Sequence, residues 1–230
     1  MAKQTRIGTT KTLVTAAIVG LLVVGSGVSS AGAAEVDLSA SALAQFRSSL
    51  TSSSDIAKFD ALTDAQEAGF AAYLLGETDP TSKLNAAKTR SVDFELRTSV
   101  ATTKSVAATA GVAAAAATGT RTVSAWQSFL FAGITISKTT VSETYNYSGS
   151  NATSVASYSC VVNANYDPFS TVTSAKSGKY ISSGKATAEC LVSVKRGVPT
   201  PWGQISWSTA SNIQYVTGNG AGAVASHGWR

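Results

Sequence analysis

The chain has 230 residues, with 18 basic and 13 acidic side chains, a formal charge of +5, one His and two Cys. Two cysteines far from C-x-x-C spacing and the single His227 cannot complete a usual zinc set, and the basic residues are too dispersed for nucleic acid to be an expected partner. The length is enough to bury a core in one domain, alone or with a smaller appendage.

Residues 1–34 begin with Lys3, Arg6 and Lys11, run through an apolar stretch from Leu13 to Val24, and end on Ala31-Gly32-Ala33-Ala34. That order predicts a secretory signal peptide cleaved after Ala33 or Ala34. A membrane-spanning helix needs about 20 apolar residues, whereas this run has 12 before Gly25. No Cys precedes Cys160, so no lipid-attachment thiol stands at the cleavage site. The exported product would have 196 residues and a formal charge of +2.

Residues 35–90 read as a helical N-terminal region. Leu43, Phe46 and Leu50 share one helical face, and the Thr51–Ser54 tract ends it. A second stretch starts near Ser54 and carries Ile56 and Phe59. A third starts at Thr63, with Gln66 completing a capping box, and presents Phe70, Tyr73 and Leu74 before Gly76 stops it. Such stripes point to a core rather than to a function.

From Ser91 the period shortens to two: Val92, Phe94 and Leu96 alternate with Asp93, Glu95 and Arg97, as in a strand with one buried face. Residues 98–120 are nearly all Ala, Thr, Val, Ser and Gly. They read either as a linker or, by propensity, as a helix over Val106–Ala117. Residues 91–120 are thus expected to be a strand followed by a linker or helix.

Residues 121–230 hold all four Trp and six of the seven Tyr. Ala186, Ala188, Cys190, Val192 and Val194 alternate with mainly polar residues. Tyr158, Cys160, Val162 and Ala164 make a matching face on an earlier strand, which Ser148-Gly149-Ser150-Asn151 separates from a strand with Val141, Tyr145 and Tyr147. Ile205, Trp207, Ile213 and Tyr215 mark one more strand, and Ala223–Trp229 the last. The pattern predicts a mainly β fold, an antiparallel β-sandwich preceded by the short helical region. Cys160 and Cys190, each on an apolar strand face in an exported chain, are expected to form a disulfide.

Several motifs fail on their context. Gly218-Asn219-Gly220-Ala221-Gly222-Ala223 has the letters of a dinucleotide fingerprint, but eight residues after Gly222 the sequence ends, without the helix that would hold a pyrophosphate. Asn163-x-Asn165-x-Asp167 opens like a calcium loop, yet Pro168 stands where Gly is needed, so an Asx turn is the plainer reading. No serine-nucleophile elbow occurs in the exported part, and its β half has only three acids, Glu143, Asp167 and Glu189. Neither a catalytic set, a metal nor a cofactor is expected.

Charge divides the chain: residues 35–120 carry seven basic and ten acidic side chains, residues 121–230 eight and three. The two halves are expected to dock, or the basic half to meet an anionic surface. Lys176, Lys179, Tyr180, Lys185, Lys195, Arg196 and Trp202 combine cations with aromatic rings and are the candidate binding residues. They suit an anionic cell-wall polymer, a glycan or a membrane surface. The Ala/Thr/Ser-rich exported organisation resembles that of small secreted proteins of Gram-positive bacteria. The expected role is thus a secreted, non-enzymatic, cell-surface-binding protein. The alternative is a membrane-active toxin or bacteriocin using the Ser/Thr-rich hairpin over residues 139–159. Asn146-Tyr147-Ser148 and Asn151-Ala152-Thr153 also have the form of glycosylation acceptors.

Overall fold

Three short helices precede eight antiparallel strands in the computed structural model, which describes residues 38–78, 93–104, 118–200 and 203–230. The signal peptide expected at 1–34 and the helix expected at Val106–Ala117 lie outside these residues. The described residues from Leu38 onward make one compact unit.

Helices α1 (Leu38–Ser49), α2 (Ser53–Phe59) and α3 (Asp64–Leu74) fall on the three expected stretches, α2 with Ser52 as N-cap and α3 with the expected Thr63. Thr63 and Gln66 form the reciprocal box: the Gln66 amide donates to the Thr63 hydroxyl at 3.4 Å, and the Thr63 amide donates to Gln66 Oε1 at 3.1 Å. Beyond α3 the Gly76 amide donates to the Tyr73 carbonyl and the Glu77 amide to the Ala72 carbonyl, a Schellman ending made possible by Gly76 at φ 78°.

Strands β1 (Phe94–Lys104), β2 (Thr118–Phe131), β3 (Ile134–Ser148) and β4 (Asn151–Asn165) form one sheet in that order. The second sheet is β5 (Ser170–Ser182), β6 (Lys185–Thr200), β7 (Gly203–Asn219) and β8 (Val224–Trp229). Both are meanders, and β4 and β5 run side by side where the chain changes sheet. At that crossing the Phe169 amide donates to the Asp167 carboxylate at 2.9 Å, the Asx turn expected before Pro168. Residues 98–104 and 118–120 correct the expectation of a linker or helix: they are strand. β1 is paired with β2 from Phe94↔Phe131 to Lys104↔Arg121.

The helices share a core with one end of the strands. Phe46, Phe70, Leu74, Phe131, Ile134 and Ile136 are all buried there. The Phe70 ring stacks on Phe131 at 4.6 Å between centroids and meets Phe46 edge-on at the same distance. The halves of opposite charge do meet, but through aromatic rings and hydrogen bonds to backbone and side chains. Lys58 donates to the Gly133 carbonyl at 2.9 Å and Ser49 to the Tyr166 carbonyl at 2.6 Å. Among the described residues each ion pair lies within one half.

A second core of small residues, including Ala125, Ala152, Ala186, Ala188 and Val216, lies between the sheets away from the helices. Small side chains bring the sheets close enough for Cys160 of β4 and Cys190 of β6 to form a disulfide with Cα atoms 5.7 Å apart. By loop-closure entropy this bond contributes about 3 kcal/mol. The hairpin tips pack together at this end. A Cβ on Gly220 would collide with the Ser150 carbonyl group, so the β7–β8 turn approaches the β3–β4 turn more closely than any side chain allows.

Glu143, between Val141 and Tyr145, is fully buried in this core. One carboxyl oxygen accepts from the Gly218 amide at 2.9 Å and the other has no partner. Burial pushes its pKa from 4.5 up to about 8, against a smaller downward pull from that amide. Because the folded protein holds this proton more tightly than the unfolded chain, the stabilisation is complete at acid pH. It is lost between the ordinary and raised pKa values, at about 1.4 kcal/mol per pH unit. Urea unfolding across that range is expected to show stability falling as pH rises, and Glu143→Gln, which keeps the acceptor for Gly218, to flatten the profile.

Candidate functional site

The outward face of the second sheet carries a shallow trough of about 390 Å³, with Thr187, Thr217 and Ser226 among its lining residues. Cross-strand pairing puts these residues together: Thr187 opposes Thr217, which opposes Ser226, and the two threonine hydroxyls lie 3.0 Å apart. Tyr180 of β5 and Tyr215 of β7 stand along the trough with Lys185 and Arg230. Arg230 fixes the aromatic side: its Nη2 donates to the Tyr180 hydroxyl at 2.9 Å, its guanidinium sits 4.8 Å from the Tyr215 ring centroid, and it is ion-paired with Glu189. Glu189 balances the Arg230 charge, leaving Lys185 as the cation free of an ion pair among the described trough residues.

The candidate binding residues scatter. Tyr180 and Lys185 enter the trough. Lys176 lies 4.9 Å from the Tyr158 ring and Lys179 donates to the Val155 carbonyl at 3.2 Å, so both cross the seam between β4 and β5. Lys195 is exposed on the same strand as Lys185 but ten residues away, about 33 Å at strand rise. Trp202 lies outside the described residues.

Arg196 is a correction: it is buried rather than part of a basic surface. Its Nη2 is 3.1 Å from the Asp167 carboxylate and donates to the Tyr73 carbonyl at 2.8 Å, and its guanidinium lies 3.8 Å from the Tyr73 ring centroid. Arg196 continues the inward alternation of Val192 and Val194, so its position on β6 aims it at the junction of the sheets and α3. The physical reason is that Asp167, itself 2% exposed, sits there and needs a cation.

The three acids of the β half go to separate places: Glu143 to the core, Asp167 to the Arg196 junction and Glu189 to Arg230. Burial pushes the Asp167 carboxyl up, opposed by Arg196 and by hydrogen bonds from the Phe169 amide, Tyr73 and Ser170. Asn165 is occupied with Ser170, accepting from its hydroxyl at 3.0 Å and donating to its carbonyl at 2.9 Å. Among the described residues no group of three His, Cys, Asp or Glu side chains is placed to hold a metal ion. His227 is exposed on β8. Of the glycosylation-type sequences, Asn151 is exposed at the β3–β4 tip while Tyr147 is buried.

Sequence reading missed Thr187, Tyr215, Thr217, Ser226 and Arg230 as one site. Thr187 lies on the polar side of its strand's alternation, but Tyr215 and Thr217 share the parity of Ile213 while Gln214 and Val216 are the buried side of β7, and Arg230 follows β8, so strand order alone makes them neighbours. No protein-family model, curated protein or solved structure matches the chain.

Arg196→Ala is expected to lower the unfolding free energy by about 3–5 kcal/mol, because it strands the Asp167 carboxylate in the interior. Lys195→Ala, next to it but exposed, is expected to change stability by less than about 0.5 kcal/mol. Chemical denaturation of the two variants separates a structural from a surface cation.

Proposed function

We propose that this is an exported, non-enzymatic protein that binds a glycan of a cell surface or extracellular matrix in the trough on the outer face of its second sheet. The observation that carries the reading is the pairing of two tyrosine rings with a hydroxyl-lined floor and the Lys185 cation. A sugar ring offers an apolar face to stack on and a rim of hydroxyls to hydrogen-bond. The trough supplies both kinds of partner, as specific sites generally do. A linear polyanion is less well served, since Lys176 and Lys179 lie along the seam, Arg196 is buried and Lys195 stands far from Lys185. Export is supported by the leader sequence and by the disulfide, a bond typical of oxidising compartments.

The membrane-active alternative must use the β3–β4 hairpin. Val141, Tyr145 and Ala152 of that hairpin are buried against the second sheet, and Cys160 ties β4 to β6. Insertion would require the sheets to part. Among the described residues no helix is long and apolar enough to cross a membrane.

Co-sedimentation with insoluble wall polysaccharide is expected to retain the protein. Tyr215→Ala and Tyr180→Ala should each weaken retention roughly tenfold, equivalent to about 1.4 kcal/mol, while Lys195→Ala leaves it unchanged. Failure of the parent to bind any wall or matrix glycan, or retention indifferent to both tyrosines, overturns the reading. Dye release from liposomes is expected to stay at baseline with the disulfide intact.

A further inference from the structure

The two sheets do not close over one another on the side of β1 and β8. β8 pairs only with Gln214–Gly218 of β7, so the earlier inward positions of β7 are left uncovered: Ser208, Ala210 and Asn212 are exposed although they continue the face of buried Gln214 and Val216. The same is true of β1. Leu96 and Val100 are 42% and 45% exposed, yet they pair with Phe129 and with fully buried Ala125 on the inward face of β2.

A cleft of about 400 Å³ enters the sandwich between these strands. Phe129, Ile136, Val172, Val192 and Val194 line it, with Leu96 at its opening. It follows Val192–Arg196 of β6 and Ser208–Asn212 of β7, four residues of rise or about 13 Å. Its volume is at the small end of the ordinary range for ligand sites, which suits one slender molecule rather than a branched one.

Polar atoms at its two ends say what that molecule must carry. Arg196 lines the cleft and is 9% exposed; its Nη2 is committed to Asp167 and Tyr73, but its Nε is buried without a partner. Trp229, on the β8 side, likewise has a buried indole Nε1 with no partner. Both are donors, so an occupant that is apolar along its length and brings oxygen acceptors at one end satisfies the donor at that end. A peptide would add N–H groups that these two donors cannot satisfy. Because Asp167 already balances the Arg196 charge, an ester oxygen serves as well as a carboxylate.

We propose that the cleft binds a single medium-length acyl chain whose carboxyl or ester oxygens accept from Arg196 Nε or Trp229 Nε1. The site opens on the inward side of the second sheet, shares only Trp229 with the lining of the outward trough, and does not depend on glycan binding.

Fluorescence titration of the oxidised full-length protein with cis-parinarate is expected to saturate. Dodecanoate and lauroyl lysophosphatidylcholine are the two displacement arms. Displacement by the first alone identifies a free fatty acid, by the second alone a lipid-borne chain, and by both the acyl chain irrespective of its source; each supports the site. Dodecyltrimethylammonium, a similar chain without an acceptor, should displace at least tenfold more weakly. Ala210→Trp, which fills the cleft from an exposed position, should abolish probe binding while leaving the circular dichroism and Tm of the parent. Leu96→Arg at the opening provides a second variant should the first fail to fold. Absence of saturable binding by the parent, equal displacement by the ammonium chain, or binding unchanged in a folded cleft variant overturns the proposal.

Discussion

The contact of Asp167 with Arg196 and Tyr73 is the point on which the three layers of this protein depend. Asp167 sits in the segment that carries the chain from β4 of one sheet to β5 of the other. Arg196 comes from β6, and Tyr73 from α3 contributes a hydroxyl 3.3 Å from the carboxylate, a backbone acceptor and a ring face. A buried ion pair rarely adds net stability over an apolar replacement, since desolvation consumes the Coulombic gain. The upward push that burial exerts on the Asp167 carboxyl shows that cost directly. What the pair contributes is registration: crossover, strand and helix must all be in place for the two charges to be satisfied.

Away from that junction the interior changes character. Near the helices the space is filled by large rings, with Phe94 against Tyr73, Phe129 and Phe131, and Tyr73 against Phe129. At the far end alanines bring the sheets together, and the polar groups trapped there reach across the gap to backbone. Tyr145 donates to the Asn219 carbonyl at 2.6 Å, and Gln214 Nε2 lies 3.3 Å from the Ala125 carbonyl. Both of these contacts run between sheets. Together with the disulfide they hold the thin end by specific bonds where apolar area is scarce.

Legibility in the sequence followed burial. α3 was readable because its cap and apolar stripe are both expressed in side chains, and β6 because one face is buried over its whole central part. Residues 98–104 were not, because period-two contrast arises when one face meets a core. The inward face of β1 meets little: Val100 is nearly half exposed, and Thr98 is occupied with Gln127 at 2.9 Å. The disulfide was accessible from strand parity, and so, in retrospect, was Arg196, which lies two residues beyond Val194 on the inward side. Basic residues near a loop invite a surface reading, and only the position of Asp167, 29 residues earlier, reverses it. The trough was illegible for a different reason. Positions 180, 185, 187, 215, 217 and 230 become one surface through the order β5-β6-β7-β8, which no local pattern encodes.

The placement of the fixed points also explains why the cleft stays open in a folded molecule. A sandwich that lacks cover on one side ordinarily collapses onto the gap, because apolar lining gains by contact. Here the sheets are held at two separated levels, by Cys160–Cys190 with Gln214 at one and by Asp167–Arg196–Tyr73 at the other. β6 and β7 between those levels cannot move towards β1 and β2 without disturbing one of the clamps. A cavity kept open in this way is organised before any ligand arrives, so an occupant spends little of its binding energy on ordering the protein. The unpaired Arg196 Nε follows from the same constraint: the guanidinium is held by its other bonds to Asp167 and Tyr73, and cannot turn to find a partner within the chain.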